Sequence, residues 1–142
     1  QIRPELVITV DALAARSSSR LLTTIQIADT GIQPGSGVGN KRPGINYESL
    51  GVPVFAVGVP TVVSGAAIAG DVLDSYFAKY NPHARSTLDS VRDFLSPDLA
   101  ELMVTTKDID MEILEMSKLL AASLNKATQP AISEEEMLDY LQ

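Results

Sequence analysis

Two runs of almost unbroken apolar residues, Leu6-Val7-Ile8-Thr9-Val10 and Val52 to Val59, constrain this chain more than any other feature. A strand covered on both faces reads as a continuous apolar run, whereas a strand with one wet face alternates. The first run therefore predicts a strand that delivers Asp11 to its C-terminal end. The second predicts a strand bounded by Pro53 and Pro60, because proline donates nothing to a ladder. Beyond it, Thr61-Val62-Val63-Ser64-Gly65 leads into a helical pattern reaching about Tyr80, with Ile68, Val72, Leu73 and Tyr76 on one face. Strands alternating with helices through long crossovers define an α/β chain with parallel pairing. The expected architecture is three layers, a mostly parallel sheet with helices on both faces.

The remaining segments fit that plan. Leu21 to Ile27, with alternating Ile25 and Ile27, predicts a strand nearer an edge, and Asp29 to Leu50 is turn chemistry. Ser86 with Asp89, and Ser96 followed by Pro97, read as caps of two short helices. Leu102-Met103-Val104 is a short strand candidate. From Lys107 to Lys126, Ile109, Ile113, Met116, Leu120 and Leu124 recur at helical steps, with Thr105 and Asp108 expected to cap the start. Ser133-Glu134-Glu135-Glu136 reads as a capping box for a last turn ending at Leu141, its acids a solvated complement to the helix dipole.

Composition narrows the function classes. With 142 residues the chain predicts one domain, residues 1–142, able to bury roughly 70% of its unfolded surface. It has no cysteine, which removes disulfides, thiolate nucleophiles and thiolate metal sites and fits a reducing cytoplasm. No apolar run approaches the ~20 residues of a membrane span. The net charge of −7 makes nucleic acid an improbable direct ligand, although residues 1–42 carry +2 against −9 for the rest. An opening without Met that runs straight into a strand pattern predicts a fragment, with further strands and site residues upstream.

Asp11 is the sharpest candidate for chemistry, since open α/β sheets build their sites beyond strand ends. The alternative is that it caps the turn Ala12-Leu13-Ala14. Asp29-Thr30-Gly31 looks like the catalytic tripeptide of pepsin-like proteases, but those need two copies on an all-β scaffold, and a strand-ending turn is the better reading. In Pro34 to Arg42, Gly35, Gly37 and Gly39 could expose N–H groups to an anion, with Lys41 and Arg42 adding charge. Asn40 spoils both nucleotide fingerprints, which leaves this a demanding loop that supports a neighbouring site. The single His83 lies far from any nucleophile elbow, while a Ser-Lys pair from Ser17, Ser18 or Ser19 with Lys41 stays open. One histidine and no thiol disfavour zinc, a hard metal held by carboxylates stays open, and no cofactor is expected.

Four motifs in order then carry a resemblance. They are Val10-Asp11-Ala12-Leu13-Ala14-Ala15-Arg16-Ser17, Thr24-Ile25-Gln26-Ile27-Ala28-Asp29-Thr30-Gly31-Ile32, Pro34 to Arg42, and Gly58-Val59-Pro60-Thr61-Val62-Val63. Together they resemble the germination protease family, endopeptidases of spore-forming bacteria that degrade small acid-soluble spore proteins. The likeness is dense from Pro4 to about Tyr80 and resumes at Leu102 to Asp110, while Asn81 to Ala100 is shorter than the family's region. The resemblance implies a fold similar to the hydrogenase-maturation peptidases (phosphorylase/hydrolase-like), here as a C-terminal partial domain. It implies an atypical aspartic endopeptidase of the spore core, made as a zymogen, self-processed and tetrameric. One catalytic aspartate matches Asp11, and the other belongs to a preceding segment. Asp29, Thr61 and the glycine-rich loop would support the cleft, with Lys41 and Arg42 attracting acidic substrate segments. Two competing expectations are a metal-binding peptidase-like domain, in which Asp11 would hold a hard ion or nickel, and a non-catalytic structural or regulatory fragment.

Overall fold

The computed structural model describes residues 2–35, 42–133 and 136. It divides into two compact units, residues 1–105 and 106–142. The first unit is α/β, with strands β1 (Val7–Ala15), β2 (Gln26–Ala28), β3 (Val54–Ser64) and β4 (Met103–Val104). Its helices are α1 (Tyr47–Leu50), α2 (Gly65–Tyr80), α3 (Leu88–Phe94) and α4 (Pro97–Glu101), and a single 3-10 turn covers Ser18–Arg20. The second is built on α5 (Ile109–Thr128).

The sheet is mixed rather than mostly parallel. β3 lies between β1 and β2, and pairs parallel with β1 but antiparallel with β2 and β4. The long crossover accounts for the parallel pair. β2 instead returns through the turn at Asp29 and runs against β3, a choice that its three-residue alternation could not encode.

Both apolar runs extend further than their composition suggests. β3 passes through Pro60 because odd-numbered residues of its first half direct their backbone groups toward β1, as Pro53 does in accepting from the Val7 N–H at 2.9 Å. Pro60 consequently faces the β2 side, beyond the last β2 pair, Gln26 with Gly58, where no donor is required. Its carbonyl still accepts from the Leu22 N–H at 2.8 Å. A partner of that length carries β1 on through Asp11-Ala12-Leu13-Ala14 to Ala15, with one irregularity at Leu13/Ala14 that leaves Thr61 as the extra residue of β3. Asp11 thus sits mid-strand, and its expected roles as a strand-end carboxylate or turn cap do not hold.

Helix α2 begins where Ser64 accepts from the Ala67 N–H at 3.1 Å. Its buried face is Gly65, Ala66, Ala67 and Gly70, while Val72, Leu73 and Tyr76, expected to face inward, are exposed. Small residues let other elements approach closely. A Cβ on Gly65 would lie 2.0 Å from the Leu99 carbonyl oxygen, so glycine is what admits α4 there. Ala15, Val63 and Ala67 pack with Leu21 and Ile68, and Ala66, Val91 and Ala100 pack with Ala69 and Leu95. This packing gathers at the C-terminal end of β3. Ile8 (39% exposed), Val10 (55%), Phe55 (41%) and Ile27 (71%) remain open on one face.

Capping differs in detail from expectation. Thr87, not Ser86, caps α3, in a reciprocal box with Ser90. Asp108 stands at the start of α5 without a side-chain bond, Thr106 donates to Glu112, and the Thr105 hydroxyl donates to the Thr61 carbonyl at 2.7 Å instead. Ser133 and Glu136 do form the expected box, since the Ser133 N–H donates to Glu136 at 3.0 Å and Glu136 N–H to Ser133 at 3.2 Å. The helical turn expected up to Leu141 lies outside the described residues.

Candidate active site

Register places the site. Asp11 of β1, Gly58 of β3 and Gln26 of β2 form one row across the sheet with their side-chain positions on one face. Along β1, Val7, Thr9, Asp11 and Leu13 are half-buried, whereas Ile8, Val10 and Ala12 on the other face are exposed. Asp11 is therefore a half-buried carboxylate on the face that it shares with Val7, Thr9 and Leu13. Among the described residues no side chain hydrogen-bonds it.

Gly58 shapes that face. A Cβ there would lie 2.3 Å from Leu13 Cδ1 and 2.7 Å from Cγ, so the Leu13 side chain occupies the space above Gly58. Leu13 follows Asp11 by two residues on the same face, which puts an apolar wall beside the carboxylate. β1 is also the outermost strand described, leaving the other flank of Asp11 bordered by an unpaired edge.

Of the other candidates, those among the described residues do not share Asp11's row. Asp29 is exposed in the turn after β2, one residue past the pair of Ala28 with Ala56, and Gly31 turns the chain with φ +78°. That agrees with a strand-ending turn and brings no second aspartate into Asp11's row. Gly35 has φ +76° and Arg42 is exposed, its N–H donating to the Pro34 carbonyl at 3.4 Å. Gly37, Gly39, Asn40 and Lys41 lie outside the described residues. Thr61 is the bulge residue, half-buried and beyond Leu13's partner Pro60. His83 is exposed in the segment after α2.

Sequence reasoning missed the partner of the serine cluster. Asp71 on α2 accepts from the Ser18 N–H at 2.7 Å and its hydroxyl at 2.6 Å, while Ser17 and Ser19 hydroxyls pair at 3.0 Å. Burial by itself raises the Asp71 carboxyl, but the hydrogen bonds from Ser18, with a smaller one from Ser17, outweigh it and hold the group below its ordinary value. One helical turn on, Asp74 accepts likewise from the Ser86 N–H at 3.1 Å and hydroxyl at 2.8 Å, which lowers it too. These are structural ties between α2 and the segments after β1 and before α3. Fifty-three residues separate Asp71 from Ser18, and no local pattern signals such a pair. Among the described residues no three His, Asp or Glu side chains cluster in a way that could hold a metal ion.

An α/β scaffold with one half-buried carboxylate on its sheet does not by itself name a reaction, and comparison with known proteins supplies the class. The germination protease family model matches residues 1–88. The chain belongs to that family. It is 44% identical to a germination protease from Caldanaerobacter subterraneus subsp. tengcongensis over 99% of the chain and 48% of the relative. For the germination protease of Clostridium tetani the figures are 40%, 99% and 48%, and for that of Bacillus subtilis 37%, 99% and 50%. The chain thus spans about half the length of the curated relatives it matches. Against the Bacillus subtilis protein the comparison runs over 186 positions, more than the chain's 142 residues, so that relative carries insertions within the shared region.

Proposed function

We propose that residues 1–142 form the Asp11-bearing, C-terminal part of a spore-germination endopeptidase that hydrolyses small acid-soluble spore proteins with a pair of aspartates. The observation that carries this reading is the placement of Asp11. The family motif Val10-Asp11-Ala12-Leu13 falls on a strand that leaves its carboxylate half-buried, at the outermost of the described strands.

The chemistry explains why a second carboxylate is needed. Hydrolysing a peptide near neutral pH requires a base to activate water and an acid to protonate the departing amine. One carboxyl group cannot be in both states at once. Two placed together share a proton, because repulsion raises one while the other stays ionised, and they titrate as a unit. Within these residues Asp11 supplies one half, and Leu13 supplies an apolar wall that limits water on one side. The mate comes from the portion of the family polypeptide outside residues 1–142. Zymogen processing, tetramer assembly, the hydrogenase-maturation-like fold and a spore-core location belong to the same reading. The described helices include none long and apolar enough to cross a membrane.

The test is Asp11→Asn in the full-length enzyme. Cleavage of a small acid-soluble spore protein should fall by at least about 10²-fold, the scale of losing an acid–base group, with circular dichroism and thermal midpoint unchanged. Turnover within a few-fold of wild type removes Asp11 from the mechanism.

A further inference from the structure

Opposite β1, β3 carries one extra residue, Thr61, and that residue reverses the direction in which β3 presents its backbone. Up to Pro60 the odd residues of β3 direct their backbone groups to β1 and the even ones to β2. Past Thr61 the odd residues serve β4, as the Gly65 N–H shows by donating to the Leu102 carbonyl at 2.8 Å. β4 lies on the β2 side of β3, because β1 still pairs with Val63. The reversal leaves two consecutive carbonyls, those of Pro60 and Thr61, on that side, between the last β2 pair at Gly58 and the first β4 pair at Val63. Each is held by a group from a distant segment. The Leu22 N–H donates to the Pro60 carbonyl at 2.8 Å, with Leu22 at φ +55°, the only non-glycine residue of positive φ among the described residues. Backbone strain of that kind persists where the surroundings over-determine it. The Thr105 hydroxyl, 44 residues beyond Thr61, donates to the Thr61 carbonyl at 2.7 Å.

The bulge decides what stands around Asp11. Because of the extra residue, Val63 rather than Val62 pairs with Ala15, which shares a face of β1 with Asp11 and Leu13. The cluster of Ala15, Val63 and Ala67 therefore closes Asp11's face beyond Leu13. On the near side of the bulge, Leu13 occupies the space above Gly58, in the row of Asp11. Bulges next to active sites commonly serve to re-aim a side chain. We infer that Thr105 is a positioning residue for the peptidase: its hydroxyl fixes the Thr61 bulge, and the bulge sets the seat of Leu13 and with it the wall beside Asp11. The inference rests on the reading of Asp11 as catalytic and deepens it, since Thr105 acts through the bulge and not on the carboxylate.

The test uses two variants of the full-length enzyme. Thr105→Val deletes the hydroxyl at nearly constant shape, and Thr105→Ser keeps it. Thr105 is exposed, so neither change opens a cavity in the core. In Thr105→Val, kcat on a small acid-soluble spore protein should fall about 3- to 10-fold, the scale of one lost hydrogen bond, with KM within about twofold of wild type. The methyl NMR resonances of Leu13 should shift in the same variant, and Thr105→Ser should restore both readouts. A lower thermal midpoint with unchanged kcat and unmoved Leu13 methyls overturns the inference and reduces the bond to a structural tie. A loss of kcat that serine does not rescue overturns it as well. An active Asp11→Asn enzyme in which Thr105→Val still moves the Leu13 methyls would refute the catalytic reading while supporting the hold of the bulge on Leu13.

Discussion

Replacing Gly58 by alanine tests the packing that frames Asp11. The new Cβ would stand 2.3, 2.7 and 3.2 Å from Leu13 Cδ1, Cγ and Cδ2. Carbon atoms rest about 3.5–4.0 Å apart, so Leu13 must move by more than an ångström to admit the methyl group. Overpacking of this kind costs about 1–3 kcal/mol. Against that, alanine regains the roughly 0.5–1 kcal/mol that glycine loses within a strand. The single variant should therefore be destabilised by about 1 kcal/mol. In a Leu13→Ala background the clash disappears, and the same change should be neutral or stabilising. Urea unfolding of all four proteins, compared at a common m-value, yields the coupling directly. A coupling of about 1–3 kcal/mol is expected, equal to the clash that Leu13 removal abolishes. Additivity within about 0.5 kcal/mol would show that Leu13 is not seated over Gly58 and that the wall beside Asp11 is misplaced.

Two further outcomes follow from the same geometry. Gly65→Ala sets its methyl 2.0 Å from the Leu99 carbonyl oxygen, a backbone atom that cannot swing aside, so α4 must leave α2. The loss should reach about 3 kcal/mol, lowering the thermal midpoint by about 10 °C or more, and a midpoint near wild type would contradict the α2–α4 packing. Asp71 has a folded-state value below its unfolded one, so its contribution is fully present above the unfolded value of about 3.9 and lost as pH falls through the folded value. Asp71→Asn should flatten the acid limb of the stability profile below about pH 4 and leave its slope above pH 5 unchanged, and an unaltered acid limb would remove the Ser18 tie from the balance.

Several elements were legible in the chain because their signals are local. The helix over Gly65–Tyr80, the strand at Met103–Val104, the helix over Ile109–Thr128 and the box of Ser133 with Glu136 are written in periodicity and capping residues a few positions apart. Four motifs in order, Val10-Asp11-Ala12-Leu13 among them, carried the family. Legibility stopped where partners decide. Ala12-Leu13-Ala14 has little strand preference of its own, and became strand because β3 continues opposite it to Ser64. The outward turn of Val72, Leu73 and Tyr76 followed from α2 using its glycine and alanine face for contact, a preference that hydrophobic patterning ranks the other way.

By itself the amino-acid sequence determined the α/β character, the longer strands and helices in their order, and the family. Only the tertiary structure decided that β2 runs against β3, that Asp11 shares a row with Gly58 and Gln26, and that Asp71 ties down Ser18. The division has a physical cause. Backbone periodicity and capping act over one or two turns of chain, whereas strand direction, register and distant hydrogen bonds depend on which segments meet in space.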